Sequence, residues 1–196
     1  DFDMISFDVT SLFTNVPISQ FLDLFQREFT EHAFPLPLNS IIDLISLCIV
    51  DSKFTFNGNF YMQKYGMAMG NPLSPVLSNL FMEFFEKYNL SQILPEGVVW
   101  YRYVDDIFCL WPKNEQVSYF LTRLNNLVPS INFTIEKANE QQCLPFLDVL
   151  VHQEGKEFSF SIYRKPTNIL SYIHYYSEHP ENVKVSVFSS MFLRAF

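Results

Sequence analysis

Residues 98–110 read Val-Val-Trp-Tyr-Arg-Tyr-Val-Asp-Asp-Ile-Phe-Cys-Leu, and two adjacent aspartates, Asp105 and Asp106, interrupt this strand-forming run. Aromatic and β-branched residues on both sides of a polar pair predict two short strands hinged at the aspartates. Adjacent carboxylates repel each other, which disfavours their joint ionisation, and a divalent cation removes that penalty. A solvated turn explains the same dipeptide, because aspartate is a good turn former. The dipeptide therefore indicates either a metal site or an ordinary turn.

A third carboxylate, Asp8, ends the strand-like segment at the start of the chain. Alternation with period two places Asp8 on one face of this strand and Ile5, Phe7 and Val9 on the other. If the strand lies beside the hairpin at 98–110, three carboxylates converge at one end of a sheet. Such oxygen ligands suit Mg²⁺, and two ions about 4 Å apart can catalyse an in-line phosphoryl displacement. The alternative is that Asp8 caps the helix that follows.

Apolar periodicity along the rest of the chain predicts alternating helices and strands. Helices are expected over 17–29, 38–50, 72–88 and 114–128 and from about residue 181, with a hairpin over 54–61 and strands near 131–136, 146–151 and 158–164. This order indicates the α+β class, with a mixed or antiparallel sheet and helices packed on one face. The chain reads as one domain over 1–196, and its opening in mid-strand indicates a piece of a longer protein.

Composition narrows the function classes. The net charge of −8 argues against a generic phosphate-binding surface, although a nucleic-acid enzyme can be acidic where its carboxylates hold metal ions. Apolar stretches end well before about 18 residues, so no transmembrane span is predicted. Cys48, Cys109 and Cys143 are odd in number and widely spaced, which indicates neither a disulfide framework nor a zinc site and favours a reducing compartment.

Three segments, at 7–13, 66–75 and 103–106, resemble motifs A, B and C of reverse transcriptases, in that order. They read Phe-Asp-Val-Thr-Ser-Leu-Phe, Gly-Met-Ala-Met-Gly-Asn-Pro-Leu-Ser-Pro and Tyr-Val-Asp-Asp. The details are similar to the Penelope-like retroelement branch, which is related to telomerase reverse transcriptases. Further segments that fit this branch are Thr-Asn-Val-Pro at 14–17, Phe-Thr-Ile-Glu at 133–136, Leu-Pro-Phe-Leu-Asp at 144–148 and Tyr-Arg-Lys-Pro-Thr at 163–167.

The resemblance implies a right-hand polymerase palm with partial fingers and the start of a thumb. It implies an RNA-directed DNA polymerase that adds dNTPs to a DNA primer on an RNA template, in retroelement copying in the nucleus and without a membrane partner. Two Mg²⁺ ions would serve the reaction, with Mn²⁺ as a substitute. The upstream fingers motifs, a complete thumb and the GIY-YIG endonuclease of many such elements are not in this sequence.

The resemblance also assigns roles to residues. Asp8, Asp105 and Asp106 would be the catalytic metal ligands, with Asp106 acting directly or indirectly. Phe13 would be the steric gate that packs under the sugar of the incoming nucleotide and excludes a 2′-hydroxyl. Core packing is the alternative for Phe13, since the chain has 22 phenylalanines.

The remaining assignments follow the same motifs. Gly70, Asn71 and Pro72 would line the nucleotide site; the alternative is a helix start with proline at an early position, which is compatible with that role. Lys137 would be the lysine near the leaving pyrophosphate, or simply a solvated side chain. Candidate nucleic-acid contacts are Gln63, Ser74, Tyr103, Arg164 and Lys165; the last two also read as ordinary exposed residues.

Two other functions stay open at this level. The first is a non-catalytic, domesticated or decayed copy that binds nucleic acid or protein partners. The second is an RNA-directed RNA polymerase. Viral enzymes of that class tend to carry Asp at the position of Phe13 and Gly-Asp-Asp in place of Tyr-Val-Asp-Asp, and both differences favour deoxynucleotides here.

Overall fold

The computed structural model of the protein describes residues 2–30, 33–168 and 172–195. Its strands are β1 (Phe2–Val9), β2 (Lys53–Phe56), β3 (Asn59–Met62), β4 (Val99–Tyr103), β5 (Asp106–Pro112), β6 (Phe133–Lys137), β7 (Cys143–Phe146), β8 (Val149–Glu154) and β9 (Glu157–Ile162). Its helices are α1 (Leu12–Asn15), α2 (Ile18–Glu28), α3 (Leu38–Ile49), α4 (Ser74–Tyr88), a 3₁₀ turn (Leu90–Gln92), α5 (Val117–Leu124) and α6 (Glu181–Ala195).

A four-stranded central sheet in the order β4-β5-β1-β6 organises the chain. All of its pairings are antiparallel, so of the mixed or antiparallel sheet expected from the sequence, the antiparallel form is the one adopted. Ile5, Phe7 and Val9 are buried on one face of β1, as the period-two alternation predicts. The α+β class is therefore confirmed, and β1 lies in the middle of the sheet.

Helices cover the face of the sheet to which Ile5 and Phe7 belong. Helices α2, α4 and α5 each contribute an apolar stripe to one large core, which also contains Trp111 from β5. Within it, phenylalanines of α2 and α4 pack ring against ring, with Phe21 stacked on Phe84 at 6.3 Å between centroids. The many phenylalanines thus form much of the layer that supports the sheet.

A second sheet, β7-β8-β9, packs against the opposite face of the central sheet. Leu144 and Val151 of this sheet bury Met4, which lies on the same side of β1 as Asp8. One end of that face is therefore covered, while the end at Asp8 stays open. The contact fixes where an open cavity can exist in the molecule.

The hairpin β2–β3 turns at Asn57-Gly58, as the sequence predicts, with φ values of 48° and 77°. All eight of its strand residues are exposed. Cys48, Cys109 and Cys143 are free thiols, in agreement with the sequence interpretation. In the described ranges, no helix combines the length and the apolar character needed to cross a bilayer.

Candidate active site

Asp8 of β1 and Asp106 of β5 occupy directly paired positions on neighbouring antiparallel strands. Side chains at such positions point to the same face, with Cβ atoms about 4.5–5.5 Å apart. On the other side of β1, Asp8 is paired with Thr134 of β6. The alternative role of Asp8 as a helix cap is not realised, since α1 begins after Ser11. The predicted convergence of these two strands is therefore present.

Asp105 lies in the two-residue turn between β4 and β5, next to Asp106. Its backbone carbonyl accepts a hydrogen bond from the Val9 amide at 3.0 Å, which ties the turn to the end of β1. The preceding residue, Val104, has a φ of 58°. This left-handed conformation is rare for a β-branched residue, because Cβ then crowds the backbone. The turn that carries Asp105 is therefore strained.

Asp8 and Asp106 line an open cavity of about 880 Å³. Thr134 and Glu136 of β6 form one wall, and the opposite wall comes from the ends of the second sheet. That wall includes Pro145, Phe146, Leu147, Asp148, Tyr163, Lys165, Pro166 and Thr167. The cavity therefore combines acidic side chains on its floor with a lysine on its wall.

Electrostatics in this cavity are dominated by the carboxylates. Burial raises the pKa of Asp8, and the nearby Asp105 raises it further. Burial likewise raises the pKa of Asp106, with added repulsion from Asp105 and then from Asp8. Lys165 opposes both shifts, because its positive charge favours the ionised carboxylates. Both groups keep contact with water, so solvent screening limits the size of these shifts.

The carboxylate oxygens on the cavity floor are the kind of ligand that a hard divalent cation prefers. Asp8 and Asp106 supply carboxylate oxygens on one face, and each has its pKa raised by the charge of Asp105, so a cation would relieve repulsion that the structure contains. Within the residues that the structure describes, however, no three His, Cys, Asp or Glu side chains are grouped closely enough to hold a metal ion. A complete site would need Asp105 to draw closer to the other two.

Phe13 lies one turn beyond β1 and is half-buried. Its carbonyl accepts a hydrogen bond from the Met67 amide at 2.6 Å. Gly66 has a φ of 64°, and a Cβ on Gly66 would lie 2.1 Å from the carbonyl oxygen of Thr14. The backbone of 66–67 therefore rests directly on the segment that carries Phe13, a contact that requires glycine.

The segment predicted to line the nucleotide site is held by its own polar side chains. Asn71 donates to the Cys48 carbonyl at 2.5 Å and accepts from the Leu73 amide at 2.9 Å.

Ser74 is fully buried, and its hydroxyl donates to the Ala68 carbonyl at 2.6 Å. Gly70 and Pro72 are exposed, and Gly70 has open space around it. The hydroxyl of Ser74 thus shapes the loop from inside, while Gly70 and Pro72 lie on its surface.

The other predicted contacts separate into two groups. Tyr103 is exposed and paired with Asp106, so it stands beside the cavity, and Lys165 lines the cavity itself. Arg164 is exposed and does not line it. Gln63 is half-buried, and its amide donates to the Tyr65 carbonyl at 2.8 Å. The structure therefore brings Tyr103 and Lys165 to the carboxylates but not Arg164 or Gln63.

Lys137 is not brought to the carboxylates either. It is paired with Ile5, which lies on the helix-facing side of β1, and it lines a separate small cavity with Asp3 and Trp111. The side chain of Asp8 points to the opposite face, because Asp8 and Ile5 are an odd number of residues apart on β1. The catalytic role of Lys137 stays a prediction without support from this geometry.

Sequence reasoning missed two features of the site. Lys165 was assigned to nucleic acid rather than to the carboxylates, and nothing local in Tyr-Arg-Lys-Pro-Thr reports its position in space. The sequence places Gly66 in the segment at 66–75 and predicts no separate role for it. The sequence carries no signal that separates Gly66 from Gly70 of the same motif, although only Gly66 makes a close backbone contact.

Comparison with known proteins agrees with this geometry. The family model described as "Reverse transcriptase (RNA-dependent DNA polymerase)" matches residues 4–174. A search of curated proteins returned no match. The chain belongs to the reverse transcriptase family.

Solved telomerases share the fold. Apo telomerase from Candida tropicalis, truncated from its C-terminal domain, superposes with a TM-score of 0.62 at 17% identity over 82% of this chain. Telomerase from Candida albicans, in complex with a fragment of telomeric RNA, gives a TM-score of 0.60 at 15% identity over 78% of this chain. The match covers 35% and 29% of those two chains, so this chain spans about a third of their length.

Proposed function

We propose that this chain is the palm core of an RNA-directed DNA polymerase that adds dNTPs to a primer 3′-hydroxyl. The observation that carries the proposal is the pairing of Asp8 with Asp106, beside Asp105, on the floor of one open cavity in a chain of this family. Carboxylates gathered in this way serve phosphoryl transfer, in which catalysis is mainly positioning and charge stabilisation.

Asp8, Asp105 and Asp106 would hold two Mg²⁺ ions, which Mn²⁺ could replace. When bound, such cations stabilise the negative charge that develops on phosphate oxygens and lower the pKa of an attacking hydroxyl. The chain itself contributes the sheet register that holds Asp8 opposite Asp106 and the bond from Val9 that holds the Asp105 turn. Lys165, on the wall of the cavity, would offset negative charge from a triphosphate or a primer phosphate.

The incoming nucleotide would lie between Phe13 and the loop at 70–72. The support is geometric, since the hydrogen bond from Met67 fixes the backbone of Phe13 next to this loop. A ring fixed in this way can exclude a 2′-hydroxyl by contact, which selects dNTPs. The exposed surfaces of Gly70 and Pro72 would face the base and sugar.

Template and primer would cross the same face of the sheet. Tyr103 is 63% exposed beside Asp106, where its ring can stack on a base. Exposed Arg164 would contact phosphate further along the strand, with Gln63 as a further contact. Ser74 would act through the shape of its loop. The RNA bound to the Candida albicans telomerase is consistent with an RNA template for this chain.

The biological setting follows from the motifs alone. We propose a Penelope-like retroelement enzyme that acts in the nucleus, with residues 1–196 as its palm. Fingers, thumb and, in many such elements, a GIY-YIG endonuclease would complete the protein. The support is the set of branch-like segments, such as Tyr-Arg-Lys-Pro-Thr at 163–167.

Primer extension on an RNA template with the full-length protein tests the proposed function. We expect Mg²⁺-dependent dNTP addition that EDTA abolishes and that Asp105→Asn lowers by more than about a hundredfold. Asp3→Asn is the matched control, because Asp3 lies on β1 far from the cavity.

The other outcomes decide against the proposal. A folded protein that binds RNA but adds no nucleotide would indicate the non-catalytic binding module. Ready addition of NTPs in place of dNTPs would indicate an RNA-directed RNA polymerase.

A further inference from the structure

Arg102 is a buried charge directly behind the candidate active site. It lies on β4, three residues before Asp105, and its side chain is 7% exposed. It points to the helix-covered face of the sheet, away from Tyr103 and the cavity. A buried guanidinium is costly unless each of its donors is paired, so its partners indicate what it is for.

Helix α4 supplies most of these partners. Glu86 accepts two hydrogen bonds from Arg102, at 2.7 Å from Nε and 3.0 Å from Nη2. The amide oxygen of Asn79 accepts a third, from Nη1 at 2.7 Å. Trp100 Nε1 donates to the same Glu86 carboxylate at 3.0 Å, which fixes its orientation. Arg102 is therefore held rigidly by two residues of one helix.

The remaining partner lies in the turn that carries Asp105. Nη1 of Arg102 donates to the carbonyl oxygen of Val104 at 3.2 Å. Val104 is the residue with the φ of 58°, a conformation that a valine adopts only when its surroundings impose it. The carbonyl that Arg102 binds therefore belongs to the strained residue itself.

We propose that Arg102, oriented by Glu86, is a positioning residue that holds the turn at Val104–Asp105 in its strained form and so fixes where Asp105 lies relative to Asp8 and Asp106. The proposal rests on the proposed function for its catalytic consequence. Its structural part depends on the bonds of Arg102 alone. It also links α4, which follows the nucleotide loop, to the turn between β4 and β5.

Lysine is the informative substitution, because it keeps the positive charge but lacks the several fixed N–H donors of the guanidinium group. One ammonium nitrogen cannot make two parallel bonds to Glu86 and also reach the Val104 carbonyl, so Arg102→Lys retains an ion pair but frees the turn. Arg102→Ala leaves Glu86 without its partner and can reduce folding, which makes it the less specific variant. Arg123→Lys, at an exposed position on α5, is the matched control.

The first measurement does not depend on activity. The Val9 amide donates to the Asp105 carbonyl, while the next amide, of Thr10, donates to the Asn132 carbonyl on the other side. If Arg102 holds the turn, Arg102→Lys accelerates hydrogen exchange at Val9 about tenfold relative to Thr10. An equal acceleration at both amides would mean a general loss of stability and would overturn the proposal.

The second measurement separates chemistry from binding in the full-length protein. We expect Arg102→Lys to lower the single-turnover rate at saturating dNTP about tenfold, with the KM for dNTP within about twofold of wild type. Adding Val104→Gly should restore part of the rate, because glycine adopts a positive φ without the steric cost. Arg123→Lys should leave both values unchanged.

Three results would overturn the proposal. In the first, Arg102→Lys has the same single-turnover rate and the same Val9 exchange rate as wild type. In the second, Arg102→Lys raises the KM for dNTP and leaves the rate unchanged. In the third, Val104→Gly restores none of the rate that Arg102→Lys has lost. If the wild-type protein adds no nucleotide, the proposed function fails, whereas the ratio of Val9 to Thr10 exchange still tests the role of Arg102.

Discussion

Asp8 and Asp106 face each other across the β1–β5 pairing, and each has its pKa raised by burial and by neighbouring negative charge. Two carboxylates in such positions destabilise a sheet that lacks a counter-charge, since like charges directly opposite are unfavourable. This arrangement therefore indicates that Asp8 and Asp106 serve the function of the protein rather than its stability.

The first prediction concerns pH in the absence of metal. Because the folded-state pKa of Asp106 is raised, its contribution to stability is fully present below the ordinary value of 3.8 and is lost as the pH rises through the raised value. In EDTA, wild type should lose more unfolding free energy than Asp106→Asn as the pH rises above about 4, and solvent screening keeps this difference small. Urea denaturation across this range measures it, and identical pH slopes in the two proteins would contradict it.

The second prediction concerns stabilisation by Mg²⁺. A cation that binds between the carboxylates of the folded state stabilises that state by mass action, and bound protons compete with it. Thermal unfolding of wild type should therefore shift upward with Mg²⁺, more at neutral than at acidic pH. Asp8→Asn should remove most of the shift and Asp3→Asn should keep it. A shift of equal size in Asp8→Asn would exclude Asp8 as a ligand.

Sugar selection by Phe13 is the third prediction. Phe13→Ala should raise the use of NTP relative to dNTP by about tenfold or more. Without the ring, the 2′-hydroxyl of an NTP no longer meets a steric barrier. Competitive primer extension measures the ratio. Phe29→Ala, directly after α2, is the control, since Phe29 is also half-buried but packs against Phe25 and Phe34. An unchanged ratio would assign Phe13 to packing.

The fourth prediction compares two glycines of positive φ. Gly58 has no atom within 4 Å of a built Cβ, whereas Gly66 would meet the Thr14 carbonyl. Gly58→Ala should therefore cost about 1–2 kcal/mol, from backbone conformation alone. Gly66→Ala should cost about 2–3 kcal/mol more, from the added clash, and displace Phe13. Equal losses in urea denaturation would show that the 66–67 loop moves freely away from Thr14.

The two lysines provide the fifth prediction. Lys165 lines the cavity and opposes the rise in pKa that burial and neighbouring negative charge cause at Asp8 and Asp106, whereas Lys137 lies on the other face. Lys165→Ala should lower the single-turnover rate about tenfold or more, and Lys137→Ala should change it less than about twofold. The exposed Lys156→Ala serves as the control. The reverse ranking would restore Lys137 as the residue near the leaving group.

Much of the fold was predictable because its signals are local. The alternation of β1, the helical stripes and the Asn57-Gly58 turn each follow from a few neighbouring residues. The split of the expected strand at 146–151 was not predictable. A turn at Leu147-Asp148 divides it; Asp148 is a turn former, but Leu147 adopts a φ of 55°, and leucine carries no signal for that conformation.

The site was predictable where the motif itself sets the geometry. Asp105 and Asp106 come with their own hinge, and the strand of Asp8 needed only to lie beside it. Alternation along β6 places Lys137 on the same face as the apolar Phe133 and Ile135, whereas Lys165 follows β9 in a loop whose position no local pattern reports.

The strand order β4-β5-β1-β6 has a further consequence for biosynthesis. Strand β1 is synthesised well before both of its neighbours in the central sheet, β5 and β6, so its two edges are not both paired until the chain has been synthesised to β6. Loop closure over such separations is slow, and unpaired apolar strands invite aggregation. The pairing that brings Asp8 to Asp106 therefore forms late in synthesis. Until then, the negative charge of Asp8 on unpaired β1 disfavours its association with other chains.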